Sequence, residues 1–304
     1  MSRHRIGFWY RLAAVLCKPP LVVLFKRDWS GTENIPADGG FLTVVNHNSY
    51  LDPLSYAHFQ YNTGRVPRFL AKSGLFKGGF VGALMRGTGQ IPVFRESTDA
   101  ANAFRAAVAA VNKGECVAFY PEGTLTRDPD LWPMQGKTGA ARVALMTRAP
   151  VIPVAQWGAH EVMPPYAKEK RLRLFPRRTL QVKAGPPVDL SAFHGQEPTA
   201  EVLRAVTDTI MAAVTELLAE MRGEPAPAEP YDHRKARAAL REKAARSRPA
   251  DDRAGEETGK SEETGKGEET GKSEDTDVPS PEVPRPHAPD EHPAVARTRK
   301  DEGE

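Results

Sequence analysis

Cysteine is nearly absent from this chain: Cys17 and Cys116 are the only two in 304 residues. Both lie in apolar runs far apart in sequence, where a thiol behaves as a small buried hydrophobe. That argues against a disulfide framework and fits a reducing compartment. The sequence also has no run of the roughly 18–20 apolar residues that a membrane-spanning helix needs. The nearest candidate, residues 7–25, is broken by Arg11, Lys18 and the pair Pro19–Pro20. Arg3 and Arg5 could open a signal peptide, but no small-residue cleavage site follows them,. What residues 1–28 do contain is Phe8, Trp9, Tyr10, Leu12, Val15 and Leu16 interleaved with Arg11 and Lys18. Aromatic and cationic side chains together suit the headgroup boundary of a bilayer, so the segment reads as amphipathic and membrane-associating. An ordinary helix packed on the core is the alternative.

Beyond residue 222 the chain has almost no aromatic or β-branched apolar side chain, and GEETGK, SEETGK and GEETGK follow one another from Gly255 to Lys272. Such a stretch cannot bury enough apolar surface to offset its ordering entropy, so residues 223–304 are expected to be a disordered, low-complexity tail. Residues 29–222 are long enough for one domain with a full core. The overall net charge of +3 hides a split between these parts. Residues 1–222 hold 27 Lys plus Arg against 18 Asp plus Glu, a net of +9, and the tail carries −6. A basic domain points to an anionic partner: a nucleic acid, a phosphorylated small molecule or an anionic membrane surface.

Along the domain, apolar runs and helical stripes alternate. Phe41–Val45 reads as a buried strand, and a helix is expected over residues 52–59, with Asp52 capping and Pro53 in the first turn,. Further strands are expected at 66–71, 90–94, 116–120, 151–155, 172–175 and 180–184. Helices are expected at Ala100–Asn112, Gly139–Thr147 and 199–221,. The alternation implies an α/β domain with a mixed, partly parallel sheet flanked by helices, and such sheets place their sites at the carboxyl ends of strands.

The polar motifs fall at such ends. Asn46-His47-Asn48-Ser49-Tyr50-Leu51-Asp52 puts a carboxylate five residues after a histidine, across a turn into a helix. There it can bond one imidazole nitrogen and leave the other free as a base; it can cap the helix at the same time. Gly89-Gln90-Ile91-Pro92-Val93-Phe94-Arg95 delivers an arginine at a strand end. Tyr120-Pro121-Glu122-Gly123-Thr124-Leu125-Thr126-Arg127 places carboxylate, hydroxyls and guanidinium on one turn, whose backbone N–H groups can meet a phosphate or oxyanion,. An internal Glu–Arg pair is the simpler reading of that turn. Val151-Ile152-Pro153-Val154 reads as plain core.

Together, the NHxSxxD, GxIPVxR, [FY]PEGTxTR and VIPV blocks, in this order, resemble the 1-acyl-sn-glycerol-3-phosphate acyltransferase family of glycerolipid acyltransferases. The resemblance spans residues 29–185. It implies a glycerolipid acyltransferase-like fold with His47 and Asp52 as the catalytic pair. It implies a phosphate-binding set of Arg95, Glu122, Gly123 and Arg127, to which Thr124 and the basic Lys72 and Lys137 are added. It further implies transfer of a fatty-acyl group from acyl-CoA or acyl carrier protein to lysophosphatidic acid, giving phosphatidic acid. Expected with it are no metal, no separate cofactor and no nucleic acid partner. The place of action is expected to be the cytoplasmic face of the cell membrane, bound peripherally or monotopically. Tyr120 stands where the family more often has Phe, and Phe94 where many members have a polar residue.

Three alternatives stand beside this reading. One is a different lysophospholipid or a glycolipid acceptor. Another is a Ser-His-Asp mechanism through Ser49, which lacks a GxSxG elbow. The third is a non-catalytic basic module for membrane or nucleic acid, supported by Lys168, Lys170, Arg171, Arg173, Arg177 and Arg178. That cluster would face a membrane or the phosphates of coenzyme A, and a merely solvated basic face is the equal alternative. Oxyanion donors are expected from backbone N–H groups of residues 46–49 or 123–124.

Overall fold

Phe41–Val45 (β2) is buried at every position and divides its side chains between two cores, as a strand with period two must,. Leu42 and Val44 face one cluster, while Phe41 and Val45 face another. The computed structural model describes residues 6–94, 100–167, 172–232, 235, 236 and 238. Around β2 it builds a seven-stranded sheet ordered β1-β7-β6-β2-β5-β3-β4. The other strands are β1 (Lys26–Ser30), β3 (Pro67–Lys72), β4 (Ile91–Val93), β5 (Cys116–Phe119), β6 (Val151–Trp157) and β7 (Thr179–Ala184). The five strands from β6 to β4 run parallel, β7 is antiparallel to β6, and β1 lies parallel to β7. The fold is a mixed α/β sheet flanked by helices.

The helices are α1 (Phe8–Leu24), α2 (Asp52–Asn62), α3 (Gly79–Gly87), α4 (Ala100–Asn112), α5 (Gly139–Thr147), α6 (Ala159–Val162) and α7 (Ala200–Arg222). Alanine stripes let α4 and α5 approach the sheet: Ala103, Ala107, Ala110, Ala140, Ala141 and Ala144 pack with Val206, Ile210 and Val214 of α7 on one face. On the other face Tyr56 and Phe59 of α2 meet Phe41, Val45, Ile152 and Val154. After β2 the chain crosses one face through α2 to β3. After β5 it crosses the other face through α5 to β6. These diverging crossovers leave a crevice at the carboxyl ends of β2 and β5, the switch point where open α/β sheets bind ligands.

Several expectations change. The Pro19–Pro20 pair does not end the first helix; both prolines sit exposed near its end, where few backbone bonds are forfeited,. Strand β1 has no apolar alternation because it is an edge strand with only Trp29 turned inward, so its sequence carries no strand signal. The boundary expected at residue 28 therefore falls inside the sheet. Residues 172–175 form no strand: Leu172 and Phe175 are exposed on a loop. The fold also does not stop at Arg222, because Tyr231 pairs with Met134. Most of the expected tail lies outside the described residues.

Arg65 pins the amino ends of the strands. Its guanidinium donates to the carbonyls of Pro36 and Gly114 and lies 4.9 Å from the Phe41 ring centroid. His58, buried against Trp29 on α2, is pushed down to about 4 by burial and by the nearby Lys18 and Arg27 charges. Unfolded, the same imidazole titrates near 6.5, so between these values the unfolded chain holds more protons. Stability should then fall as pH drops from about 6.5 through about 4, by about 3 kcal/mol at most,. Urea midpoints of the natural chain should fall relative to those of His58→Phe as pH drops across that window,.

Candidate active site

The site begins where β2 ends. Asp52 opens α2, and its Oδ2 accepts the N–H groups of Asn48 and Ser49, each at 2.7 Å. The turn from strand to helix is thus folded around the carboxylate. The same oxygen lies 3.0 Å from His47 Nδ1. Because a carboxylate is the acceptor there, Nδ1 carries the hydrogen and Nε2 keeps its lone pair. Asp52 is fully buried, whereas the His47 side chain retains 16% of its accessible surface. Burial raises the Asp52 carboxyl above its usual range, against the pull of His47 and of the two N–H groups. A buried carboxylate of this kind favours a positive partner, so it stabilises an imidazolium when one forms.

His47 is fixed on its other sides by the β5 loop. Its ring stacks on Tyr120 at 4.3 Å between centroids, and Gln156 Nε2 donates to the Tyr120 hydroxyl at 3.3 Å. That bond gives the Tyr120 hydroxyl a partner where the family more often has Phe. The His47 N–H donates to Glu122 Oε1 at 2.9 Å, and the Thr126 N–H donates to the His47 carbonyl at 2.7 Å. Asn46 and Gln156 exchange side-chain and backbone bonds of 2.8–3.0 Å, tying the end of β2 to β6.

Glu122, expected among the phosphate ligands, is placed differently. It is buried, and its second oxygen accepts the Met134 N–H at 3.0 Å, so both oxygens serve backbone amides. Burial pushes its carboxyl up to about 8, against the pull of those two N–H groups. It braces the loop and forms no ion pair with Arg127, whose guanidinium lies over the Tyr166 ring at 4.8 Å. Gly123 adopts φ +71°, and a Cβ there would stand 2.6 Å from Lys137 Nζ, so the missing side chain makes room for the lysine,. Thr124 Oγ1 meets the Tyr166 hydroxyl at 3.1 Å. Lys72 ends β3, beside Val93 of β4. Arg95 lies outside the described residues, as do Lys168, Lys170 and Arg171.

The N–H groups of His47, Asn48 and Ser49 are all committed to carboxylates, which removes them as the oxyanion donors expected for that turn. Ser49 is buried with its hydroxyl directed to the carbonyls of Met163 and Ala159, at 2.9 and 3.1 Å. It therefore locks α6 against the turn and does not address His47. Of the expected basic cluster, Arg177 donates to the Phe25 carbonyl at the end of α1, and Arg178 pairs with Glu161 at 2.7 Å. Both arginines are employed within the fold. Among the described residues, no three His, Cys, Asp or Glu side chains gather as a metal site would require. Tyr166, Trp132 and Met134 escaped sequence reading, since a lone aromatic or thioether in a loop has no distinguishing pattern.

A family model described as Acyltransferase matches residues 26–157, which hold β1 to β6 and every motif above. The chain is 30% identical over 165 residues to the chloroplastic 1-acyl-sn-glycerol-3-phosphate acyltransferase BAT2 of Brassica napus. That match takes in 54% of this chain and 46% of the relative, about half of its length. To the 1-acyl-sn-glycerol-3-phosphate acyltransferase of Bacillus subtilis it is 28% identical over 188 residues, covering 61% of this chain and 84% of that protein. The crystal structure of the 1-acyl-sn-glycerophosphate acyltransferase PlsC from Thermotoga maritima matches with a TM-score of 0.53 and 26% identity. That match covers 69% of this chain and 80% of the other. Residues 26–157, which carry the histidine, the carboxylate behind it and the loop that frames both, are thus the part of the chain that is similar to acyltransferases.

Proposed function

We propose that this chain transfers a fatty-acyl group from an acyl thioester to the free hydroxyl of 1-acyl-sn-glycerol-3-phosphate, at a membrane surface. The observation that carries the reading is the His47–Asp52 pair, with a fully buried carboxylate bonded to Nδ1 and a partly exposed ring. His47 Nε2 takes the proton of the acceptor hydroxyl as its oxygen attacks the thioester carbonyl, and Asp52 stabilises the imidazolium. Collapse of the tetrahedral intermediate breaks the C–S bond, and the thiolate leaves with the proton from His47. With the N–H groups of residues 47–49 committed to carboxylates and that of Gly123 to the Tyr120 carbonyl at 3.0 Å, the oxyanion is assigned to the Thr124 N–H,. Thioesters of coenzyme A or acyl carrier protein would serve equally in this chemistry.

The phosphate of the acceptor is assigned to Arg127, Lys137 and Lys72, together with Arg95, which follows β4 in the sequence. Arg127 is exposed and, among the described residues, its guanidinium lies over Tyr166 and forms no ion pair, which leaves its fork of donors available for a bidentate grip,. Removing a charge-assisted contact worth about 1.5–3 kcal/mol should raise KM for a phosphorylated acceptor roughly 10- to 100-fold. Steady-state rates for Arg127→Ala should show that rise with lysophosphatidic acid and little change with a neutral monoacylglycerol. If both acceptors weakened alike, the phosphate assignment would be wrong. A lysophospholipid with a larger head group used better than lysophosphatidic acid would select the other acceptor class.

Membrane attachment is assigned to α1. Phe8, Val15, Leu16 and Val23 are exposed and recur at helical spacing along its outer side, beside Phe80 and Val81 of α3, which packs against it,. No helix among the described residues is long and apolar enough to cross a membrane, so a helix lying in the interface is the fitting mode. Val15→Glu with Val23→Glu should abolish co-flotation with anionic vesicles while leaving the urea midpoint unchanged. Vesicle binding at the natural level would contradict the assignment.

A further inference from the structure

The chain does not leave the domain where α7 ends. Arg222 lays its guanidinium 4.0 Å from the Trp132 ring and 4.6 Å from the Trp157 ring, and donates to the Asp130 carbonyl at 2.8 Å. Further on, the Tyr231 carbonyl accepts the Gln135 N–H at 3.2 Å. Arg204 of α7 donates to the Gly136 carbonyl at 2.8 Å, and Gly136 rests against Met211 and Thr207. Residues 130–136 are thus held from outside by α7 and by the chain that follows it.

From inside, the same segment holds the site. Its Met134 N–H donates to Glu122 Oε2 at 3.0 Å, and its Trp132 carbonyl accepts the Thr126 hydroxyl at 2.6 Å. Glu122 and Thr126 are the residues that bond the N–H and the carbonyl of His47. A path of direct contacts therefore runs from Arg222 and Tyr231 to the backbone of the histidine. Residues 130–136 lie in no helix or named strand. Without outside contacts, nothing regular would offset the entropy of ordering them.

We propose that residues 222–231 are a positioning strap for His47, holding the 130–136 loop against Glu122 and Thr126 so that the imidazole stays in register with the acceptor hydroxyl. The proposal rests on the acyl-transfer reading above for its kinetic consequence. No strap residue is assigned a contact with substrate. A displacement of about 1 Å at a catalytic group can cost roughly 10²-fold in rate.

The test uses the full chain in three forms: unaltered, with Arg222→Met, and with residues 224–231 replaced by a Gly/Ser run of equal length, which orders poorly. A control carries the same replacement over residues 255–262 of the repeat region. The control should keep kcat within about twofold. The strap replacement should lose kcat tenfold or more with KM for both substrates little changed, and Arg222→Met should fall several-fold in the same direction. Deuterium exchange should quicken at residues 45–50 and 122–134 in both strap variants. A merely structural strap would lower the melting temperature but leave kcat per folded molecule and exchange at residues 45–50 as they were, and that result overturns the proposal. Should the replacement fail to fold, Arg222→Met decides by the same two readouts. If the unaltered chain transfers no acyl group, the acyl-transfer reading falls, while the exchange data still decide the strap.

Discussion

Replacing His47 with alanine is expected to lower acyl transfer by about 10²- to 10⁴-fold, the range a positioned general base typically supplies. The fold should survive the change. The backbone bonds that anchor residue 47, from its N–H to Glu122 and from Thr126 to its carbonyl, do not involve the side chain. What alanine removes is a partly exposed ring, its stack on Tyr120 and the bond to Asp52. Asp52 would still hold the turn through Asn48 and Ser49. Vesicle binding should remain, because α1 presents its exposed side chains independently of the site. Initial rates at equal folded concentration, with vesicle flotation in parallel, separate an enzyme from a lipid-binding module. Loss of both together would point to unfolding.

Asp52→Asn is expected to cost a similar factor by a different route. The carboxylate touches no substrate in this reading; it fixes Nδ1–H on the imidazole and stabilises the positive ring formed in the transition state. Burial raises the free energy of its negative charge, and the imidazolium offsets that cost only as reaction proceeds,. A neutral amide keeps the shape and can still accept the Asn48 and Ser49 N–H groups. It does not impose the same tautomer and offers no charge. The expected signature is a fall in kcat of about 10²–10⁴ with KM for both substrates close to the natural value, and a circular dichroism spectrum unchanged. A parallel rise in KM would show that Asp52 acts on binding and would contradict the role assigned to it.

The parts of the fold that were legible in sequence are those whose burial is uniform or strictly periodic. Phe41–Val45, Ala100–Asn112 and Gly139–Thr147 satisfy those conditions, and their ends agree with the structure. Strand β1 satisfies neither, because an edge strand with four exposed positions reads like a loop. Leu172 and Phe175 misled in the opposite direction: apolar residues on an exposed loop imitate a short strand.

In the site, the histidine and aspartate were legible because they share one turn. The use made of Glu122 was not. A glutamate in a polar turn has the same sequence whether it faces a phosphate or two backbone amides, and here its partners lie 75 and 12 residues away. Tyr166 lies under Arg127 from another loop, 39 positions later in the numbering of the chain. Distant pairings of this kind are created by the sheet order, which places the end of β5 beside the end of β2. The strap was hidden for a related reason, since its proline-rich composition is shared with the tail that follows.

The central claim is that His47, backed by Asp52, takes the acceptor proton in a direct acyl transfer. Its most direct measurement uses the purified full chain, radiolabelled lysophosphatidic acid and a fatty-acyl thioester of coenzyme A or of acyl carrier protein, resolving phosphatidic acid by chromatography. The natural chain should form phosphatidic acid with at least one donor, and His47→Ala at equal folded concentration should form at least a hundredfold less. Phosphatidic acid made by His47→Ala at a rate within tenfold of the natural chain would contradict it.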